Sequence, residues 1–87
     1  MTTKPPSQVQ ETSTTSIDKI AYASVATIAT QEPNDRNRLG YHIWRFLTTK
    51  QGTLEQAVSE SGSRLLIGYS EAVKIIRDAL LNHGIAV

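Results

Sequence analysis

The sequence contains no cysteine, and this absence excludes several classes of protein at once. Without thiols the chain cannot have a disulfide framework, a thiol nucleophile or a cysteine-based zinc site. It also lacks an apolar run long enough to cross a bilayer, and its N-terminus has no cationic stretch followed by an apolar segment. We therefore expect a soluble, cytoplasmic protein that makes no use of a membrane.

Patterns that carry catalysis or bind cofactors are equally scarce. The two histidines are His42 and His83, and a histidine near a helix C-terminus, as predicted for His83, more often complements the helix dipole than binds a ligand. The acidic residues Asp18, Glu32 and Asp35 have no metal-site spacing. Nucleophile turns of the form Gly-x-Ser-x-Gly and glycine-rich phosphate loops are also missing. The sequence predicts a protein that is not an enzyme and has no metal or other cofactor.

Charge is nearly balanced over the chain, with nine basic and eight acidic residues, but it is unevenly distributed. The segment 36–50 contains no acidic residue and carries four cations: Arg36, Arg38, Arg45 and Lys50. The overall balance argues neither for nor against a polyanionic partner. The local excess of positive charge distinguishes this segment from the rest of the chain.

The first third of the chain is predicted to contain a disordered tail and one ambiguous element. Residues 1–15 are rich in Thr, Ser, Gln and Pro, and cannot bury enough surface to offset the entropy of ordering them. Segment 17–30 has apolar residues at helical spacing, but its alternation and its Thr, Val, Ile and Tyr content also suit a strand. Its length and alanine content favour a helix, which Pro33 then ends.

A second helix is predicted over 35–48, with Asn34 or Asp35 as its N-cap. It stops where β-branched residues and a glycine weaken it. Its apolar face consists of Leu39, Ile43, Phe46 and Leu47. Tyr41 and Trp44 lie near the borders of that face, and this position favours a role in the core over stacking on a base.

Three further patterns complete the chain. A third helix over 53–61 opens with Thr-Leu-Glu-Gln, which has the form of a capping box. The apolar run 64–69 is either a short buried strand or a packed turn. The fourth helix, over 70–83, has the strongest pattern, with Ser70 as its predicted N-cap and Gly84 closing it.

From residue 36 onward the order is a long helix, a short capped helix at 53–62, a connector, and a helix that exits through Leu-Leu-Asn-His-Gly-Ile-Ala-Val at 80–87. This order resembles the winged-helix branch of the helix-turn-helix family, in which the short helix positions a recognition helix that leads into the first wing strand. The connector is longer than the tight turn of a simple helix-turn-helix, and the sequence stops where a wing hairpin would follow. We expect residues 16–87 to form one mainly α domain of three to four helices, winged-helix-like, with its wing reduced or absent.

The resemblance implies a small DNA-binding protein, either a transcriptional regulator or an accessory factor of plasmid, phage or chromosome maintenance. The helix 70–83 would enter the major groove of double-stranded DNA with Ser70, Lys74 and Arg77 on its outward side. Phosphate contacts would come from Arg36, Arg38, Arg45, Lys50 and Arg64. A homodimer is the expected state. Glu71 and Asp78 share the outward surface and would repel phosphate, so Lys74 and Arg77 could equally belong to a solvated face.

Two other hypotheses depend on the apolar residues. In one, the protein is a non-enzymatic interaction module, an adaptor or small inhibitor, which binds a protein partner through Leu65, Leu66, Ile67 and Tyr69 or through segment 17–30. In the other, it folds only as a subunit of a larger assembly, to which segment 17–30 contributes a swapped element. The near-neutral charge suits an interaction module better than a DNA-binding protein.

Overall fold

The computed structural model describes residues 19–87, and this part of the chain is mainly α. Helix α1 is described over residues 19–29, α2 spans Arg38–Thr49, α3 spans Leu54–Glu60 and α4 spans Tyr69–Asn82. No strand occurs among these residues. The predicted run of four helices is therefore found, while the predicted tail, 1–15, lies outside the described residues.

Segment 17–30, for which the sequence leaves helix and strand open, is helical wherever the structure describes it. Tyr22, Ala26 and Ala29 are buried, and their three-to-four-residue spacing places them on one side of α1. The helical period thus determines which side chains enter the core, and the alternating pattern does not. Because Ala26 and Ala29 are small, the backbone of α1 can approach the rest of the domain closely.

Helix α2 begins at Arg38, later than predicted, because Asn37 is its N-cap. The Asn37 side chain accepts a hydrogen bond from the Gly40 amide at 2.9 Å. Asn34, one of the two predicted caps, instead accepts a bond from the Arg36 amide at 3.1 Å and so closes a turn before the helix. The assignment of the cap to Asn34 or Asp35 is wrong, and Arg36 lies in a turn.

The end of α2 and the start of α3 follow the sequence closely. Lys50 caps the C-terminus of α2 in the left-handed conformation, with φ of 56°, and its amide donates to the Phe46 carbonyl. The capping box of α3 is confirmed, since the Thr53 hydroxyl accepts from the Gln56 amide and the Gln56 side chain accepts from the Thr53 amide, both at 3.1 Å. These paired bonds stabilise a helix that is too short to be stable alone.

Helix α4 begins at Tyr69, with Gly68 as its N-cap and no side-chain cap. The assignment of the cap to Ser70 is wrong, because Ser70 lies exposed inside the first turn. The predicted C-terminus is confirmed: Gly84 has φ of +81°, and the Ile85 amide donates to the Leu80 carbonyl at 2.9 Å. Residues 85–87 form no strand, so no wing begins within the described residues.

The segment between α3 and α4, residues 61–68, is a packed turn and not a strand. We call it the connector. Leu65 and Ile67 pack against the core, and the Leu66 amide donates to the Tyr22 hydroxyl of α1 at 2.5 Å. Ser61 is fully buried, and its hydroxyl donates to the Val58 carbonyl at 2.6 Å, so its burial leaves no unpaired polar group.

All four helices contribute to the core, and α4 contributes a full side of its surface. The buried apolar residues are Tyr22, Ala26, Ala29, Leu39, Ile43, Leu54, Ala57, Val58, Ala72, Val73, Ile76 and Leu80. The end of α4 is also joined to α1, because His83 Nε2 lies 3.2 Å from the Thr27 hydroxyl. The core therefore lies between α4 and the three preceding helices. The outward sides of α2 and α4 are exposed to solvent.

Candidate nucleic-acid interface

Helix α2 presents a line of polar side chains on the side opposite its buried residues. Arg38, His42, Arg45 and Thr49 follow one another at spacings of three and four, which places them along one side of the helix. Arg38 and Arg45 are exposed, and His42 is half-buried. Since α2 contains no acidic residue, this side of the helix is positively charged.

Three arginines from separate parts of the chain meet at the start of α2. Arg36 from the preceding turn, Arg38 from α2 and Arg64 from the connector line one open hollow. The Arg38 guanidinium lies over the connector, with its Nη2 atom 3.6 Å from the place that a Cβ on Gly62 would occupy. Among residues 19–87, no acidic side chain lines this hollow. Like charges on one hollow repel one another, and a bound anion would compensate them.

A second, separate hollow lies in the groove between α2 and α3. It has a volume of about 300 Å³ and is lined by His42, Arg45 and Thr49 on one side and by Gln56 and Glu60 on the other. Its lining is mainly polar, with Glu60 as the acidic residue facing Arg45. The positive potential is therefore strongest at the start of α2 and weaker toward its end.

Two aromatic residues lie beside this line of polar side chains. The Tyr41 ring is 5.9 Å from the Trp44 ring, centroid to centroid, with the two planes tilted by 36°. Tyr41 also meets the His42 ring edge to face at 5.9 Å. Both residues are only half-buried, although Trp44 packs against the core. The core role expected for this pair is thus only partly found, because both rings keep part of their surface in solvent.

The outward side of α4 has a different character. Ser70, Glu71, Lys74 and Asp78 are exposed there, so one cation stands among two carboxylates. Arg77 lies on the flank that faces α3, and its guanidinium donates to the Glu55 carboxylate at 2.6 Å. No other ion pair is found in the part of the chain that the structure describes. Of the residues expected to contact DNA bases, Arg77 therefore already has a partner within the protein.

Glu55 fixes α4 to α3 in two ways. Its carboxylate accepts the bond from Arg77, and this bond lowers the pKa of Glu55 from its ordinary value of 4.5. Its main-chain carbonyl accepts a second bond, from the Tyr69 hydroxyl at the start of α4. Sequence reasoning missed Glu55, because positions 55 and 77 lie in different helices and no local spacing relates them. These two bonds join α4 to α3 at the edge of the packed core.

The remaining predicted contacts are scattered. Lys50 lines a separate, largely apolar hollow with Phe46 and the C-terminal residues 85–87, so it does not join the three arginines. Ser70 and Lys74 lie on α4, which is a different surface again. The structure thus brings Arg36, Arg38 and Arg64 together, with Arg45 further along α2, and leaves the other predicted residues apart.

The apolar surface expected for a protein partner is reduced by packing. Leu65 and Ile67 belong partly to the core, and the Tyr69 hydroxyl is bonded to Glu55. Leu66 is the most exposed of the four at 69%, and Tyr69 is 40% exposed. On α1, Ile20 is similarly prominent at 63% exposed. These two side chains remain available to a partner in the two segments that were predicted to bind one.

Neither a metal site nor a membrane span is found within residues 19–87. No three His, Asp or Glu side chains there are placed to hold a metal ion together, and no helix has the length and apolar content of a membrane span. Compared with protein-family models, curated proteins and solved structures, the chain matches none of them.

Proposed function

We propose that the protein is a small, non-catalytic DNA-binding protein, a regulator or accessory factor, whose main phosphate contacts lie on α2 and the connector. We call this the arginine surface; it consists of Arg36, Arg38, Arg45 and Arg64. The observation that carries the proposal is the meeting of three arginines, from a turn, a helix and the connector, around a hollow without an acidic lining residue.

The chemistry of arginine suits such a surface. A guanidinium presents several N–H donors in a planar fork, which can bind two oxygens of one phosphate, and it stays charged at any physiological pH. Cations that neutralise phosphates release condensed counterions from the nucleic acid, and this release favours binding at low salt. A chain with a formal net charge of only +1 can bind a polyanion in this way because four of its nine cationic side chains belong to one surface.

Within this proposal the order of α2, α3 and α4 corresponds to a winged-helix-like arrangement in which α4 faces the major groove. Lys74 is then the residue best placed to reach a base, whereas Arg77 would first have to leave Glu55. A homodimer would place two arginine surfaces on one duplex and would enlarge the modest core of so short a chain. Size-exclusion chromatography of the protein with and without DNA tests whether it is a homodimer.

The test compares two variants that each remove one positive charge, Arg38→Gln on the arginine surface and Lys74→Gln on α4. Binding of a labelled random-sequence duplex is followed by fluorescence anisotropy over a range of salt concentrations. We expect Arg38→Gln to weaken binding and to reduce the salt slope by about 0.9, the loss of one phosphate contact. Lys74→Gln should change the slope less. Absence of duplex binding at low salt would refute the proposal, and equal effects of the two variants would refute the assignment to α2.

A second function is favoured by one observation, the exposure of Leu66 between two packed neighbours. Such a side chain suits an interaction module that docks a partner protein on the connector. In that case a stoichiometric partner, recovered from the native host and resistant to nuclease, would be lost with Leu66→Ser. The same variant should leave duplex binding unchanged if the arginine surface binds DNA, so the two functions can be separated.

A further inference from the structure

In chain order, α2 carries two aromatic residues, Tyr41 and Trp44, between the exposed cations Arg38 and Arg45. Arg38, Tyr41 and Arg45 are separated by three and four residues, and Trp44 stands three residues after Tyr41. The two arginines lie about 10 Å apart along the helix axis, with Tyr41 between them. A helix side built in this way offers positive charge and flat apolar surface at the same place.

The rings are placed as a surface and not only as core. Tyr41 and Trp44 are in contact at 5.9 Å but tilted by 36°, so neither ring fully covers the face of the other. Both keep part of their surface in solvent. The buried face of α2 is already supplied by Leu39 and Ile43. Burial in the core therefore accounts for only part of what these two rings contribute.

We propose that α2 binds single-stranded nucleic acid, with bases stacked on Tyr41 and Trp44 and phosphates held by Arg38 and Arg45. The inference rests on the arginine surface of the proposed function, and it goes beyond duplex binding by making a single strand the preferred ligand of α2. Bases in a duplex are stacked on one another and hide their faces, whereas those of a single strand are free to stack on side chains. Stacking of this kind tolerates any base, so the site selects strandedness and not sequence.

Charge on the neighbouring elements is compatible with this ligand. Helix α2 has no carboxylate of its own, and the acidic residue in its groove with α3 is Glu60, near the end at which Arg45 stands. Arg36 and Arg64 extend the positive surface beyond Arg38. A strand that runs along α2 would thus meet Arg38 and Arg45 with Tyr41 between them, and Trp44 beside Tyr41.

Trp44 is the only tryptophan of the chain, so its fluorescence reports on the proposed site without labelling. The full chain is titrated with oligothymidylate, oligouridylate, a duplex of the same length and inorganic polyphosphate. We expect the two single strands to quench the emission at lower concentration than the duplex, and polyphosphate to leave it unchanged. The ratio between oligothymidylate and oligouridylate shows whether DNA or RNA is preferred. Single-strand binding without a change in emission, or tighter binding of the duplex, would overturn the inference.

Variants test the rings separately from the charges. Tyr41→Leu removes the aromatic ring and keeps an apolar side chain, and we expect it to weaken oligothymidylate binding by about tenfold. Tyr41→Phe should retain binding because it keeps the ring. Phe46→Leu removes a ring outside the proposed contact and should have no effect. Binding is measured by anisotropy of a labelled strand, and circular dichroism checks that each variant is folded.

The outcomes distinguish this inference from the proposed function. If polyphosphate and duplex bind at low salt but Tyr41→Leu binds oligothymidylate as tightly as the unaltered protein, the arginine surface stands and the stacking site is refuted. If no polyanion binds, both are refuted. Should Tyr41→Leu fail to fold, the emission of Trp44 in the unaltered protein still decides the question.

Discussion

Helices α2 and α4 are similar in length and each buries one side, but they differ in what they show to solvent. Helix α4 buries Ala72, Val73, Ile76 and Leu80 and exposes two carboxylates around Lys74. Helix α2 exposes two arginines, leaves the rings of Tyr41 and Trp44 partly in solvent, and has no carboxylate. The comparison shows that two helices which each bury an apolar side can present opposite sides of very different charge. The burial of one side therefore does not report what the other side can bind.

The largest effect that we expect concerns the buried side of α4. Ile76 is fully buried, so Ile76→Ala should lower the free energy of unfolding by about 2–5 kcal/mol through lost burial and a cavity. Arg38→Gln on α2 should change it by no more than about 0.5 kcal/mol, because it removes an exposed side chain. Urea unfolding followed by circular dichroism measures both. A loss below about 1 kcal/mol for Ile76→Ala would contradict the structural role given to α4.

The next effect concerns the start of each helix. Asn37→Ala should destabilise the protein by about 1 kcal/mol, because it removes the side-chain cap of α2. Ser70→Ala should change stability by only a few tenths of a kcal/mol, because Ser70 does not cap α4. Thermal unfolding of the two variants, measured side by side, tests the difference. A cost at Ser70 equal to that at Asn37 would show that α4 begins where the sequence predicts.

A smaller effect is expected on nucleic-acid binding when the outward side of α4 is changed. Neutralising both carboxylates with Glu71→Gln and Asp78→Asn should strengthen duplex binding only about two- to threefold at low salt, since these groups lie on a surface other than the arginine surface. The gain should disappear at high salt. A gain of about a hundredfold in the anisotropy assay would indicate that α4, and not α2, carries the main contacts.

The smallest effect concerns the pair between Glu55 and Arg77. Because folding lowers the pKa of Glu55 below its ordinary 4.5, the ionised carboxylate stabilises the fold above that pH. This contribution is lost as the pH falls through the lowered pKa. The melting temperature of the unaltered protein should therefore exceed that of Glu55→Gln at pH 7 by a small margin, which vanishes in acid. A margin that grows as the pH falls would have the wrong sign for this pair.

Local features of the fold could be read from the sequence, and features that join distant segments could not. The capping box of α3 and the glycine at the end of α4 were predictable because each depends on four or five consecutive residues. The caps at Asn37 and Gly68 were not, since several neighbouring residues could serve and the packing of the connector and turn decides among them. Periodicity also could not assign segment 17–30 by itself, because only burial in the core distinguishes the two patterns.

The candidate site shows the same division. The excess of cations in segment 36–50 is visible in the sequence, but the addition of Arg64 requires the connector to fold back to the start of α2. The ion pair that Arg77 forms with Glu55 likewise depends on how α3 and α4 pack. The sequence therefore identified all four residues of the arginine surface, together with Lys50, which lies elsewhere. It could not show which of them lie together.

The bond between the Tyr22 hydroxyl and the Leu66 amide has a consequence for the dissection of the domain. Helix α1 lies outside residues 36–87, on which the winged-helix resemblance rests, yet it holds the segment that joins α3 to α4. A fragment or chimera that keeps only the three later helices would lose this bond and would expose the part of the core that Ala26 and Ala29 cover. The unit that can be transplanted or inherited as a whole must therefore include α1.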